Sequence, residues 1–290
     1  MSFSGEVKEE LARHISNARH CQIAELAAIM HFCGQYGQDE KGRFTIGFQT
    51  ENEAVVRKGF TLLRKAFNIE AGASLGSTEM QEFLQKIGNF EEPVNGLLIK
   101  NSCCKRAFLR GAFLSVGSIS DPTKGYHLEF DCTDEDRAKQ LQKVMGDFDI
   151  ESKVIFRKKY HVVYLKEGAC IVDLLNVCEA PVSLMKLENL RILKEMRNSV
   201  NRRVNCETAN IAKTVNAASR QVEDIEYLET HYGFQNLPES LRQMAEIRLE
   251  NPEMSLKELG ECFCPPIGKS GVNHRLRKLS ELAERVRGGQ

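Results

Sequence analysis

Polar side chains able to bond to nucleic-acid bases are concentrated between residues 270 and 277. On a helical wheel with about 100° per residue, they share one face, and apolar side chains share the opposite face. The polar set is Ser270, Asn273, His274 and Arg277, and the apolar set is Val272, Leu276, Leu279, Ala283 and Val286. Asparagine can bond to adenine and arginine to guanine in the major groove. The spacing therefore predicts a helix whose first two turns read base edges.

Basic residues flank this set, and we expect them to bind phosphates. They are Lys269, Arg275, Lys278, Arg285 and Arg287, together with Arg202 and Arg203 further upstream. Phosphate contacts add affinity without sequence preference. The alternative is a solvated charged face on an ordinary surface helix.

The charge of the chain is balanced as a whole and alternates locally. Lys+Arg and Asp+Glu both number 40, so no bulk positive field would attract a polyanion. Residues 186–220 nevertheless carry a net charge of +5, residues 221–263 one of −7, and residues 264–290 one of +4. Any nucleic-acid partner must therefore be bound through a local basic patch.

Cysteine and histidine could supply metal ligands, and the chain has 10 Cys and 7 His. One possible group is His20, Cys21, His31 and Cys33, and another is Cys262 with Cys264. Neither has the four-ligand spacing usual for zinc, so we expect no metal and no cofactor. The scattered cysteines predict reduced thiols. No apolar run approaches the ~18 residues that a membrane helix needs, so we expect a cytoplasmic protein without membrane association.

The elements around the polar face form a helix-turn-helix pattern. Ser255 and Glu258 make a capping box that starts a short helix ending near Cys262. Pro265 and Pro266 break that helix, and a longer helix capped by Ser270 runs to about Arg287. Another helix is predicted from Pro238 to about Glu250, since Pro252 stops it.

Two further helices are predicted upstream, at 183–198 and 206–232, separated by a polar stretch that contains Arg202 and Arg203. We expect residues 183–205 to form a helix and an interdomain connector. Residues 206–290 are then an all-α domain, with the helix-turn-helix motif at about 255–288.

The first part of the chain contains an internal repeat at an offset of 83 residues, which places Cys21 over Cys104 and Gly34 over Gly117. In each copy an apolar helix ends at glycine, strands follow, and an amphipathic helix comes next. A hairpin at 153–165 and a helix at 170–177 are predicted after the second copy. The repeat units span about 20–100 and 103–180, within a domain of residues 1–182.

Residues 109–117, which read LRGAFLSVG, resemble the LAGLIDADG helix of homing endonucleases, and residues 26–34, LAAIMHFCG, resemble a looser copy. The resemblance implies two helices packed at a pseudo-two-fold axis through small residues, here Ala27, Ala28, Gly111 and Ala112, and a saddle-shaped sheet laid on DNA. Catalysis in that family requires a carboxylate before the final glycine of each motif. Cys33 and Val116 stand there, so the resemblance predicts the scaffold and argues against nuclease activity.

The whole chain resembles the WhiA family. The similar segments are the start at 2–11, the degenerate repeat, LPESL at 237–241, LKELG at 256–260 and PPIGKSGVNHRLRK at 265–278. The departure is Cys262-Phe263-Cys264, where an aliphatic and an acidic residue are expected. The resemblance implies an α+β fold in which a duplicated LAGLIDADG-like domain precedes a helix-turn-helix domain similar to sigma-factor region four.

The family implies a non-enzymatic, sequence-specific regulator that binds double-stranded DNA and is nucleoid-associated. Its processes are bacterial cell division, chromosome segregation and, in spore formers, sporulation. One alternative is a DNA-associated scaffold whose N-terminal domain contacts a protein partner, because the DNA-facing side carries Glu129, Asp131 and Asp134 beside Arg157, Lys158 and Lys159. A divergent homing-type endonuclease is the other alternative.

Overall fold

The computed structural model describes residues 2–90 and 92–289 and divides into an N-terminal unit, Met1–Glu195, and a C-terminal unit, Met196–Gln290. Each unit has its own buried apolar core. Across the described residues, no helix combines the length and apolar character that a membrane crossing needs.

The N-terminal unit contains the predicted repeat. The first copy and the helix before it comprise α1 Phe3–Arg13, α2 Arg19–Cys33, β1 Gly34–Gln38, β2 Phe44–Phe48, α3 Glu53–Phe67, β3 Ser74–Leu75 and α4 Ser77–Ile87. The second copy comprises α5 Ser102–Val116, β4 Gly117–Ile119, β5 Leu128–Cys132, α6 Glu135–Gly146, β6 Lys153–Arg157, β7 Tyr160–Leu165 and α7 Gly168–Val177. Both copies begin with an apolar helix that ends immediately before a strand, as the sequence predicts.

The strands form two antiparallel sheets, one in each copy. The first has the order β1-β2-β3 and the second the order β4-β5-β7-β6. The hairpin predicted at 153–165 is confirmed, with Arg157 opposite Tyr160 and Lys158 in the left-handed region at φ 57°. The copies differ beyond α3 and α6, because the first has only the two-residue β3 where the second has the hairpin.

Helices α2 and α5 pack closely through small residues at the centre of the N-terminal unit. Ala27, Ala28 and Ala112 are fully buried. A Cβ atom added at Gly111 would lie 2.5 Å from the Glu25 carbonyl oxygen and 2.9 Å from the Ala28 Cβ. This confirms the predicted small-residue interface, since only glycine permits the two backbones to approach so closely.

A buried ionic network crosses the same helix interface. The Glu25 carboxylate, on α2, accepts hydrogen bonds from Nε and Nη2 of Arg110, on α5, at 3.0 and 3.1 Å. Lys58 Nζ lies 2.9 Å from Glu25 Oε1, and Arg110 Nη1 lies 2.6 Å from Glu179 Oε2. Burial opposes the charge of Arg110, but Glu25 and Glu179 raise its pKa above the ordinary value. Removing one member of such a buried group leaves an uncompensated charge and costs about 3–5 kcal/mol.

The C-terminal unit is helical. The helices are the last part of α8 Pro181–His231, then α9 Glu239–Glu250, α10 Leu256–Glu261 and α11 Lys269–Arg287, with a 3₁₀ turn at Phe234–Asn236. Its core consists of apolar side chains from all four helices, including Leu228, Met244, Leu259 and Leu276. The helix predicted from residue 238 to about 250 is confirmed as α9.

The predicted break between helices at 201–205 is wrong, because α8 is continuous from Pro181 to His231. Asparagine and arginine are polar but do not break helices, and neither proline nor glycine occurs between residues 182 and 231. The segment 183–205, which we expected to form a helix and an interdomain connector, is therefore entirely helical.

We predict that Gly111→Ala lowers the free energy of unfolding of the N-terminal unit by about 1–3 kcal/mol, because the new methyl group would collide with a backbone carbonyl. The matched control is Gly146→Ala at the end of α6, where an added Cβ meets nothing within 4 Å. Urea unfolding followed by circular dichroism measures both, since the chain has no tryptophan. Equal midpoints for the two variants would contradict the close-packed interface.

Candidate nucleic-acid interface

The capping box that starts α10 is confirmed. The Ser255 amide donates to Glu258 Oε2 at 2.7 Å, and the Glu258 amide donates to Ser255 Oγ at 3.4 Å. The hydrogen bond from the Ser255 amide lowers the pKa of Glu258. Arg248 of α9 donates to the Met254 carbonyl oxygen at 2.7 Å, just before this box. These local bonds place the beginning of the first helix of the motif.

The turn between α10 and α11 depends on a glycine and an aromatic anchor. The Ile267 amide donates to the Gly260 carbonyl oxygen at 3.0 Å. A Cβ atom at Gly260 would lie 2.2 Å from the Ile267 carbonyl oxygen, so the turn passes directly over this position. Phe263 is buried, and the Arg275 guanidinium lies 4.9 Å from the centre of its ring. Cys262 and Cys264 on either side are exposed.

The N-terminus of α11 differs from the expectation. Gly268 is the N-cap, and Ser270 is the second residue of the helix, so the predicted serine cap is wrong. A residue already inside the first turn has helical backbone angles and cannot act as the cap. Gly268 tolerates the extended N-cap conformation, and no side chain forms a cap hydrogen bond there.

The two faces of α11 are separated as the sequence predicts. Val272, Leu276, Leu279 and Ala283 are buried in the core of the unit. The base-reading candidates are all exposed, namely Ser270, Asn273, His274 and Arg277. Nε of Arg277 donates to Glu281 Oε1 at 2.8 Å, an exposed pair one helical turn apart. Arg277 otherwise remains largely exposed to solvent.

The phosphate candidates fall into three groups. Lys269, Lys278 and Arg285 are exposed on α11. Arg275 packs on Phe263, and Arg287 donates to Asp224 Oδ1 at 2.6 Å and lies 4.6 Å from the Tyr227 ring centre. Arg275 and Arg287 therefore also hold α11 against the preceding turn and against α8, which local sequence patterns did not reveal.

Arg202 and Arg203 form the third group and lie on the exposed part of α8. Arg220 of the same helix bonds to Glu284 of α11 at 3.0 Å. With a rise of 1.5 Å per residue, Arg202 lies about 27 Å along α8 from Arg220. Nε of Arg202 donates to the Asn198 carbonyl oxygen at 3.3 Å, within α8 itself.

The positions before the final glycines of the two LAGLIDADG-like motifs are the last residues of α2 and α5, Cys33 and Val116. Burial raises the pKa of the Cys33 thiol, while a Ser115 hydrogen bond and the charge of Lys8 act in the opposite direction. Burial lowers the pKa of Lys8. The charge of Lys8 therefore favours the ionised form of the Cys33 thiol, at the position where the nuclease motif carries a carboxylate.

The histidine and cysteine group suggested by sequence proximity does not assemble. Both ring nitrogens of His31 contact backbone carbonyl oxygens, those of Glu92 at 2.6 Å and Ile87 at 3.1 Å. Burial lowers the pKa of His31. His31 is thus part of the core, and the structure groups His20 and Cys21 with other residues.

Comparisons with known proteins agree with this architecture. Three family models match: the WhiA N-terminal LAGLIDADG-like domain over residues 19–78, the WhiA LAGLIDADG-like domain over 105–197, and the WhiA C-terminal HTH domain over 200–283. A "Probable cell division protein WhiA" of Lachnoclostridium phytofermentans is 49% identical over 99% of this chain and 100% of that protein. One of Alkaliphilus oremlandii is 47% identical over 100% of this chain and 99% of that protein.

A solved structure gives the same result. The crystal structure of full-length DUF199/WhiA from Thermatoga maritima has a TM-score of 0.59 and 29% identity, and the match covers 98% of this chain and 99% of that chain. The fold and site thus define a protein in which a duplicated LAGLIDADG-like domain is joined to a helix-turn-helix domain. The family is shown by the relatives that match over the full length: the chain belongs to the WhiA family.

We predict that Gly260→Ala destabilises the C-terminal unit by about 1–3 kcal/mol, because the methyl group would displace the Ile267 carbonyl and move the N-terminus of α11. Gly271→Ala is the matched control, since its nearest neighbour would be Ile267 Cβ at 3.8 Å, an ordinary contact. Thermal unfolding followed by circular dichroism compares the variants. A Gly260→Ala midpoint equal to that of Gly271→Ala would refute this account of the turn.

Proposed function

We propose that this protein is a DNA-binding regulator that acts in bacterial cell division and reads duplex DNA through α11. The observation that carries the proposal is the exposed set Ser270, Asn273, His274 and Arg277, on a helix whose opposite face is buried in a helix-turn-helix core. The match to the WhiA C-terminal HTH domain supports it. In such motifs the first turns of the second helix enter the major groove.

The contacts divide by chemistry. Asn273 and Arg277 carry the amide and guanidinium groups that distinguish adenine and guanine, with Ser270 and His274 beside them. Phosphates are bound mainly by the exposed basic residues of α11, Lys269, Lys278 and Arg285. Further phosphate contacts come from Arg275, Arg287, Arg202 and Arg203 where the duplex extends to them. The motif spans about residues 255–288 of a DNA-binding domain at 206–290, and the segment before it, 183–205, links it to a LAGLIDADG-like domain at 1–182.

The cellular process follows the relatives, which are named probable cell division proteins. We extend the proposal to chromosome segregation and, in a spore former, to sporulation, in a cytoplasmic and nucleoid-associated protein. A local basic helix in a chain of zero net charge favours binding that depends on sequence more than on bulk attraction.

The N-terminal unit is proposed to be non-catalytic and to require no cofactor for its regulatory role. Cys33 and Val116 supply no hard oxygen ligand, and the Lys8 charge opposes a divalent cation at the same place. Two-metal cleavage of a phosphodiester depends on such ligands.

A second role for the N-terminal unit, contact with a protein partner, is favoured by its hairpin. Nη2 of Arg157 lies 2.9 Å from Glu129 Oε2 and 3.8 Å from Asp131 Oδ1, so local carboxylates neutralise its charge. Phe156 is 67% exposed and Ile155 is 43% exposed on the same strand. Apolar side chains and paired charges suit a protein surface better than a phosphate backbone.

We expect the full-length protein to bind duplex DNA with an affinity that falls steeply as salt rises, because cations are released from the phosphates. Arg277→Ala should cost about 1–3 kcal/mol on the preferred site and reduce its advantage over random DNA. Lys278→Ala should weaken binding to the preferred and the random duplex by similar factors. Fluorescence anisotropy on selected and random duplexes over a salt series measures all three quantities.

Arg242→Ala is the control, because Arg242 lies on α9 and pairs with Glu239 at 2.6 Å within the acidic region. It should leave both affinities unchanged. Binding that does not respond to salt would overturn the proposal, and equal losses on both duplexes for Arg277→Ala would overturn the assignment of base reading.

Supercoiled plasmid incubated with the protein and Mg²⁺ or Mn²⁺ should remain supercoiled, because residues 33 and 116 cannot complete a two-metal site. Gel electrophoresis after prolonged incubation measures this. Metal-dependent nicking that follows the protein through successive purification steps would restore the nuclease alternative.

A further inference from the structure

Four metal-binding side chains meet at the beginnings of the two central helices of the N-terminal unit. His20 and Cys21 belong to α2, and Cys103 and Cys104 belong to α5. Their ligand atoms all lie within 4.8 Å of one another. Nδ1 of His20 is 3.2 Å from Cys104 Sγ and 3.3 Å from Cys21 Sγ. Three thiols and one imidazole therefore lie close enough together to share one metal ion.

This cluster obeys the internal symmetry of the unit. The offset of 83 residues that places Cys21 over Cys104 also places His20 over Cys103. Each pair occupies the second and third positions of its helix. The two helix starts thus contribute side chains from equivalent positions of the repeat, although Cys21 and Cys104 are 83 positions apart in the sequence.

We propose that His20, Cys21, Cys103 and Cys104 bind one Zn²⁺ ion in a tetrahedral site. Zinc–sulfur bonds of about 2.3 Å in a tetrahedron place sulfur atoms about 3.8 Å apart, so the observed spacing needs only small side-chain movements. Thiolate and imidazole ligands select zinc over magnesium and calcium, which prefer oxygen. The ion would join the two repeats at the beginnings of α2 and α5.

The surroundings favour thiolates once the ion is present. The cluster lies in the first turns of both helices, and neither helix has a side-chain cap hydrogen bond or an acidic residue there to offset its positive end. Zinc binding replaces the three S–H protons, which pass to solvent, by three S–Zn bonds and adds one bond from His20 Nδ1.

The test uses the full-length protein without a polyhistidine tag, reduced, freed of metal with a chelator and then supplied with Zn²⁺ or Co²⁺. Elemental analysis after gel filtration should give one zinc per chain. Co²⁺ should give the intense visible bands of tetrahedral coordination and a thiolate-to-cobalt charge-transfer band. Absence of retained zinc, or the weak spectrum of octahedral cobalt, would overturn the proposal.

Variants at the exposed ligands identify the site without disturbing the core. His20 and Cys103 are exposed, whereas Cys21 and Cys104 are buried. Cys103→Ser and His20→Gln should each lower the affinity for zinc. The loss should exceed the roughly 10–100-fold that removal of an outer-shell partner costs. Cys206→Ser, at an exposed cysteine of α8, should keep the wild-type affinity.

Circular dichroism confirms that each variant is folded before its zinc affinity is measured. Unchanged affinity in both ligand variants would place the metal elsewhere and overturn the proposal. A disulfide among Cys21, Cys103 and Cys104, found by mass spectrometry of protein alkylated at the moment of lysis, would assign the thiols to redox chemistry and would equally overturn it.

Discussion

The close approach of α2 and α5 is the constraint on which the N-terminal unit depends. Gly111 allows the Glu25 backbone to come within the space that a side chain would occupy, and fully buried alanines continue the interface. Glu25 and Arg110 then form a buried ion pair across the same contact. Such a pair is tolerated only because Lys58 and Glu179 complete its hydrogen bonding, so packing and charge must be correct together.

Much of the chemistry of this unit follows from where these two helices begin and end. Their last residues, Cys33 and Val116, stand at the positions where related scaffolds carry catalytic carboxylates, and both lead directly into strands. Their first turns bring together the cysteines and the histidine of the proposed zinc site. The same helix pair therefore positions Cys33 and Val116, which offer no oxygen ligand, at one end and the cluster of thiols and imidazole at the other.

In the C-terminal unit, the contacts around α11 hold this helix with its polar face exposed to solvent. Gly260 lets the turn cross α10, Phe263 anchors it, and Arg287 holds the end of α11 on Asp224 of α8. The residues proposed to read bases remain exposed because the opposite face of their helix is packed into the core. Neutrality of the whole chain is compatible with this arrangement, since the positive charge is concentrated where the helix meets solvent.

Local patterns in the sequence determined the repeat, the hairpin, the capping box at Ser255 and the two faces of α11, because capping and amphipathic periodicity act within about four residues. The same local reasoning failed where a polar stretch was mistaken for a break in α8 and where Ser270 was taken for the cap instead of Gly268. Only the tertiary structure decided which distant side chains meet, such as Glu25 with Arg110, Arg287 with Asp224, and His20 with Cys104. Such partners lie more than sixty residues apart, so their meeting depends on how the helices pack and leaves no short-range signal in the sequence.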